Sequence, residues 1–135
     1  MSALPENKPL AAPDSRLPRI RNVLVVDDNV DAADSLGELL TVWGFEVTIA
    51  NDGPAALAAL QDTLPDIALL DIGMPAMDGY ELAAHLRFQP GCEALPIVAI
   101  TGSGSAEDLR LSRVKGFSAH LVKPVSPASL LTLLK

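Results

Sequence analysis

Short apolar segments alternate with amphipathic segments along most of this chain. The apolar segments are rich in Val, Ile, Leu and Ala, which is typical of strands buried on both faces of a parallel sheet. Between them, apolar residues recur at helical spacing. The pattern predicts strands over residues 23–27, 46–50, 67–71, 96–101 and 119–123. It predicts helices over residues 31–43, 54–62, 79–88 and 105–114, and a last helix that begins at Pro127.

This alternation predicts an α/β fold whose parallel sheet is covered by helices on both faces. Right-handed crossovers restrict the arrangement, and five α/β units favour a flavodoxin-like (βα)5 three-layer sandwich with strand order 2-1-3-4-5. Local signals agree with the predicted boundaries. Gly44 is a helix stop, Asp78 and Glu81 form a capping box, and Ser126 is an N-cap.

Residues 1–20 differ from the rest of the chain. They contain Pro5, Pro9, Pro13 and Pro18 and no sustained apolar period. This composition predicts a flexible leader or linker, followed by one domain over residues 21–135. A stand-alone protein and an excised part of a larger hybrid kinase both fit this organisation.

Composition and charge narrow the class of protein. Hydrophobic residues make up 49% of the chain and aromatic residues 4%, so we expect an aliphatic core. The net charge of −7 argues against direct nucleic-acid binding, which needs clustered Lys and Arg. The single cysteine, Cys92, excludes an internal disulfide and fits a reducing compartment. No apolar segment is long enough to span a membrane, so we expect a cytoplasmic protein.

Polar residues follow the predicted strands at one edge of the sheet. In an open α/β sheet, ligands bind beyond the carboxyl ends of the strands, where the strand order reverses. For the predicted order, this crevice lies between the first and third strands. The residues that end the first, third, fourth and fifth strands are Asp27 with Asp28, Asp71, Thr101 and Lys123. The second strand ends in Ala50 and Asn51, which we expect to lie away from the crevice.

These residue types together indicate phosphoryl transfer. Carboxylates that converge between apolar strands repel one another and raise the pKa of at least one of them. Mg2+ relieves the repulsion, since it takes hard oxygen ligands, and it keeps Asp71 ionised as a nucleophile. Lys123 can pair with a phosphoryl oxygen and the Thr101 hydroxyl can donate to another. Each residue alone has an ordinary structural explanation, such as a turn or a helix cap, and their coincidence at one edge carries the prediction.

Four segments resemble the receiver domain of two-component response regulators, the CheY-like family. They are VLVVDDN (23–29), LLDIGMPAMDGYEL (69–82), PIVAITG (96–102) and HLVKPV (120–125). In order and spacing, the resemblance extends from Val23 to Lys135. It implies a phosphoacceptor that assists its own phosphorylation and dephosphorylation, rather than an enzyme with a separate substrate. It also implies a sensor histidine kinase or a histidine phosphotransfer protein as the phosphodonor.

The resemblance assigns a role to each residue of the site. Asp71 would be phosphorylated. Asp28, Asp71 and the backbone carbonyl of Gly73 would bind Mg2+ directly, with Mn2+ as a substitute, and Asp27 would act mostly through water. Lys123, with Thr101, would contact the phosphoryl group.

The resemblance also implies that the Lys123–Pro124 peptide bond is cis. In the family, the switch couples the residue at the Thr101 position to a Tyr or Phe three residues before the Lys. That position holds His120 here. One hypothesis is that His120 swings inward on activation, which would make switching pH-sensitive; the alternative is a surface imidazole that the site tolerates.

One alternative function stays open at this stage. A receiver-like module can keep the fold and bind partners independently of phosphorylation. The family resemblance implies instead that the face formed by the fourth helix, fifth strand and fifth helix, roughly residues 105–135, changes on activation and contacts a downstream protein. Intact chemical positions favour phosphorylation.

Overall fold

The structure is a computed structural model that describes residues 20–73, 79–102 and 106–134, without the side chains of residues 106–108 and 112. The strands are β1 (Asn22–Val26), β2 (Glu46–Ala50), β3 (Ile67–Asp71), β4 (Ile97–Thr101) and β5 (Ala119–Val122). The helices are α1 (Val30–Val42), α2 (Gly53–Ala59), α3 (Gly79–Arg87), α4 (Ala106–Val114) and α5 (Pro127–Leu134). Residues 1–19 of the predicted leader and the predicted cap Asp78 lie outside the described residues.

The strands form one parallel sheet in the order β2-β1-β3-β4-β5. This confirms the predicted order. The central pair is in register with Val25 opposite Leu69, so the carboxyl ends of β1 and β3 meet at the same edge. The chain leaves β1 toward β2 on one side and returns to β3 on the other, which opens the crevice at that edge.

Side chains from alternate positions of the strands build a separate apolar core on each face of the sheet. Val23 and Val25 of β1 face α1 and α5, where Leu40 and Leu130 are fully buried. The opposite face of the sheet packs against α2 and α3. Its buried residues include Leu24, Val26, Ala68, Leu70, Ala56, Leu82 and Leu86. Covering both faces explains why the strands are continuous apolar runs rather than alternating ones.

The helix ends follow the local signals except in α2. Gly44 has φ of 99°, a left-handed conformation that glycine adopts at low cost, and it ends α1 as predicted. The Ser126 hydroxyl accepts from the Ser129 N–H at 3.3 Å at the start of α5. The helix predicted over residues 54–62 ends at Ala59. Leu60, Gln61 and Asp62 continue as a turn whose N–H groups donate to carbonyls three residues earlier, a tighter pattern common at helix ends.

Candidate functional site

Three aspartates converge at the carboxyl ends of β1 and β3. One carboxylate oxygen from each of Asp27, Asp28 and Asp71 lies within 4.8 Å of the others. Asp27 and Asp71 are buried, with 8% and 7% of their surfaces exposed, whereas Asp28 is exposed. Apolar strands hold the two buried residues in place, and the exposed one leaves one side of the cluster open to solvent.

Lys123 supplies the positive charge of the site. Its Nζ lies 3.3 Å from Asp71 Oδ2 and 3.6 Å from Asp27 Oδ2. The Lys123 N–H donates to the Thr101 carbonyl at 2.7 Å, which continues the β4–β5 pairing by one residue beyond β5. The Lys123–Pro124 peptide bond is cis, as the resemblance implied. The end of β5 therefore aims the ammonium group at both buried carboxylates.

The charges of the cluster are only partly compensated. Burial is the largest cause that raises the pKa of Asp27, and the neighbouring Asp71 raises it further through its charge and a side-chain hydrogen bond. The Asn29 N–H, which donates to Asp27 Oδ1 at 2.9 Å, and the ammonium of Lys123 lower this pKa, but the net direction is upward. A cation bound beside these carboxylates would lower this pKa.

The loop after β3 fixes the orientation of the Asp71 carboxylate. The Gly73 N–H donates to Asp71 Oδ1 at 3.0 Å, while Oδ2 faces Lys123. The two oxygens thus have different partners, which restrains rotation of the carboxylate. The role of the Gly73 carbonyl as a metal ligand stays a prediction.

Comparisons with known proteins agree with this geometry. A family model described as the response regulator receiver domain matches residues 23–135. This chain belongs to that family. Receiver domains are the phosphoacceptors of two-component phosphorelays rather than classical enzymes, and membership implies interaction with a histidine kinase or a phosphotransfer protein.

Curated relatives include proteins of very different lengths. An uncharacterized 14.6 kDa protein from Leptolyngbya boryana is 39% identical over 114 residues, which cover 84% of this chain and 87% of that protein. The DNA-binding response regulator MtrA of Mycobacterium tuberculosis is 34% identical over 110 residues, which cover 82% of this chain. This chain spans 47% of the length of that regulator.

Solved structures share the fold. The chemotaxis protein CheY4 of Vibrio cholerae is 34% identical, with a TM-score of 0.80 over 85% of this chain and 96% of that chain. A response regulator from Chloroflexus aurantiacus is 32% identical, with a TM-score of 0.79 over 87% of this chain and 96% of that chain. Within the described ranges, none of this receiver domain's helices has the length and apolar character to cross a membrane.

Thr101 and His120 lie close together in the sheet of this receiver domain. Thr101 is 8% exposed at the end of β4 and pairs with Val122, whereas His120 pairs with Ala99. Because side chains alternate along a strand, Thr101, Ala99 and His120 share one face of the sheet. This placement fits a coupled pair, and their movement stays a prediction.

Asn51 is a residue of the site that the sequence analysis missed. Its Nδ2 donates to the Asp27 carbonyl at 2.9 Å, so the expectation that the end of the second strand lies away from the crevice is incomplete. The register of β1 and β2 places the two residues side by side, since Val26 pairs with Ala50 and the next residues along the chain are Asp27 and Asn51. It could be used only once the strand order was known.

Proposed function

We propose that this receiver domain accepts a phosphoryl group on Asp71 in a Mg2+-dependent reaction, with a histidine kinase or a histidine phosphotransfer protein as the donor. The observation that carries the proposal is the convergence of three carboxylates within 4.8 Å with the Lys123 ammonium against the two buried ones. A structural ion pair alone does not need a second and third carboxylate at the same point.

The residues present fit a divalent cation. The carboxylate oxygens of Asp27, Asp28 and Asp71 are hard ligands, which Mg2+ and Mn2+ both accept. Asp28 and Asp71 would hold the ion directly with the Gly73 carbonyl, and Asp27 would act mostly through water. When bound, the ion offsets the negative charge between these carboxylates and an incoming phosphoryl group.

Asp71 is the proposed nucleophile. One of its carboxylate oxygens forms a bond to phosphorus, while the bond between phosphorus and the donor's imidazole nitrogen breaks and its electron pair stays on that nitrogen. Lys123, which already lies 3.3 Å from Asp71 Oδ2, pairs with a phosphoryl oxygen after transfer. The Thr101 hydroxyl donates to another phosphoryl oxygen. Because this reaction depends mostly on positioning and charge stabilisation, Asp71, Lys123 and Thr101 together with the metal would supply what it needs.

The proposed switch begins at Thr101. Its movement toward the phosphoryl group vacates space on the face of the sheet that it shares with His120, and His120 follows. The change alters the surface formed by α4, β5 and α5, which would contact a downstream protein.

The test is intact-mass spectrometry after incubation with acetyl phosphate. We expect a gain of one phosphoryl group in the presence of Mg2+, and no gain when EDTA removes the ion. The Asp71→Asn variant, which keeps the shape of the side chain, should gain none under either condition. No gain in the unaltered protein with Mg2+ would contradict the proposal and favour a phosphorylation-independent binding module.

A further inference from the structure

The backbone and side chain of Asp27 are held from three directions. Its N–H donates to the Ala50 carbonyl at 3.1 Å, and its Oδ1 accepts from the Asn29 N–H at 2.9 Å. Its carbonyl accepts from Asn51 Nδ2 at 2.9 Å. The first two contacts belong to the sheet and to the start of α1. The third comes from a side chain that follows β2 and has no role in the proposed chemistry.

The Asn51 hydrogen bond falls on the peptide group between Asp27 and Asp28. The Asp27 carbonyl and the Asp28 N–H lie in one rigid plane. Rotation of this plane changes ψ of Asp27 and φ of Asp28, and so redirects the side chain of Asp28. Asp28 is exposed, so packing contributes little to its direction. A hydrogen bond that fixes the plane therefore sets where the Asp28 carboxylate points.

We propose that Asn51 is a positioning residue for the metal site, acting through the Asp27–Asp28 peptide plane. The proposal rests on the proposed function, because it assigns Asp28 to the metal. Without the amide donor, the plane would be less restrained, and the Asp28 oxygen would spend less time within reach of the other two carboxylates. Outer-shell hydrogen bonds of this kind commonly tune metal affinity.

A general structural role explains the contact less well. Asn51 is exposed, and the β1–β2 pairing already continues through the bond from Asp27 to Ala50. The start of α2 also does not need Asn51. Asp52 performs that task, since its Oδ1 accepts from the Ala55 N–H at 2.7 Å. Neighbouring residues of one loop therefore have separate hydrogen-bonding roles.

This separation provides a matched pair of variants. Mn2+ binding to the metal-free protein is measured by calorimetry for the unaltered chain, Asn51→Ala and Asp52→Ala. We expect about 5- to 10-fold weaker Mn2+ binding in Asn51→Ala, the size of one hydrogen bond to the site's backbone. Asp52→Ala should lower the thermal midpoint through loss of the cap but bind Mn2+ as the unaltered protein does.

Phosphorylation kinetics give a second readout that a merely structural role would not reproduce. With acetyl phosphate as donor, Asn51→Ala should raise the Mg2+ concentration at half-maximal rate by a similar factor and leave the rate at saturating Mg2+ unchanged. Unchanged Mn2+ affinity in Asn51→Ala, or equal weakening in Asn51→Ala and Asp52→Ala, would overturn the proposal. Absence of Mn2+ binding in the unaltered protein would instead refute the proposed metal site, and the role of Asn51 with it.

Discussion

The paired strands β1 and β3 have one aspartate, Asp66, at their amino end and three aspartates at their carboxyl end, and the two ends provide these carboxylates with different partners. Before β3, Asp66 Oδ2 accepts from the Arg21 and Asn22 N–H groups, each at 2.9 Å. After the same strands, Asp27 and Asp71 are buried close together and share the ammonium of Lys123. One end satisfies a carboxylate with two backbone donors. The other end brings carboxylates together with insufficient positive charge.

The amino end of this strand pair therefore contributes to stability, whereas its carboxyl end contributes to function. At the amino end, the carboxylate ties the start of β1 to the start of β3, because backbone N–H groups are strong donors to an ionised oxygen. At the carboxyl end, burial and the neighbouring Asp71 raise the pKa of Asp27, so the ionised form of this carboxylate is disfavoured there. A bound cation and a phosphoryl group would use that unbalanced charge. The two ends should therefore respond in opposite ways to substitution.

The largest effect is expected on the rate of phosphorylation when the ammonium group of Lys123 is removed. Lys123→Met keeps much of the side-chain length but removes the charge that would pair with the phosphoryl group. We expect the rate of labelling by acetyl phosphate to fall about 100-fold at saturating Mg2+. Because the Lys123 side chain is 37% exposed, solvent screening should limit the change in unfolding free energy to about 0.5 kcal/mol.

Lys115→Met is the matched control, since it removes the same charge from an exposed residue after α4. It should leave the rate of phosphorylation unchanged. Comparable rates in both variants would show that Lys123 does not act on the phosphoryl group.

At the amino end, we expect a loss of stability without a loss of function. Asp66→Ala leaves the Arg21 and Asn22 N–H groups without their carboxylate, which should lower the unfolding free energy by about 1 to 3 kcal/mol. Urea denaturation measures this change. Asp62→Ala, at an exposed acidic residue in the turn after α2, should change it by less than about 0.5 kcal/mol.

Mn2+ affinity of Asp66→Ala should equal that of the unaltered protein. Unchanged stability, or a weakened metal site, would remove the contrast between the two ends.

At the carboxyl end, Asp27→Asn should increase the stability of the metal-free protein. A folded-state pKa above the unfolded value of 3.8 means that the unaltered protein loses stability as the pH rises from that value through the folded pKa. Asparagine does not titrate. At neutral pH, the variant should therefore be more stable, because it removes a buried charge, the largest cause of the raised pKa, and also the repulsion from Asp71.

The stability of Asp27→Asn relative to the unaltered protein should also depend on pH and on Mg2+. Its advantage should disappear as the pH falls below the unfolded pKa of 3.8, where Asp27 is protonated in both states. Added Mg2+ should raise the thermal midpoint of the unaltered protein more than that of Asp27→Asn. If Asp27→Asn is less stable than the unaltered protein at neutral pH without metal, the negative charge of the three aspartates is already compensated in the folded protein.

The sequence was sufficient for much of the fold because its signals are local. Continuous apolar runs placed the strands within one residue at each end, and a glycine signal agreed with the C-terminal end of α1 and a serine signal with the start of α5. The strand order followed from general rules for crossovers. Asp27, Asp28 and Asp71 could be grouped because that order brings the ends of β1 and β3 together.

Other features depend on register and packing, which the sequence does not state locally. The bond from Asn51 to the Asp27 carbonyl requires the alignment of β1 with β2. The satisfied carboxylate of Asp66 requires the alignment of β1 with β3. The early end of α2 at Ala59 lacks a local stop signal, since an apolar period continues through Leu60 while the backbone tightens into a turn.

Chemical localisation of the phosphoryl group is the most direct test of the central claim. Borohydride reduces an aspartyl-phosphate to homoserine, which peptide mass spectrometry locates at a single residue. After labelling by acetyl phosphate with Mg2+, we predict homoserine at Asp71 and unmodified aspartate at Asp27, Asp28 and Asp66. Homoserine at any of those three positions, or at none, would contradict the assignment of Asp71 as the phosphoacceptor.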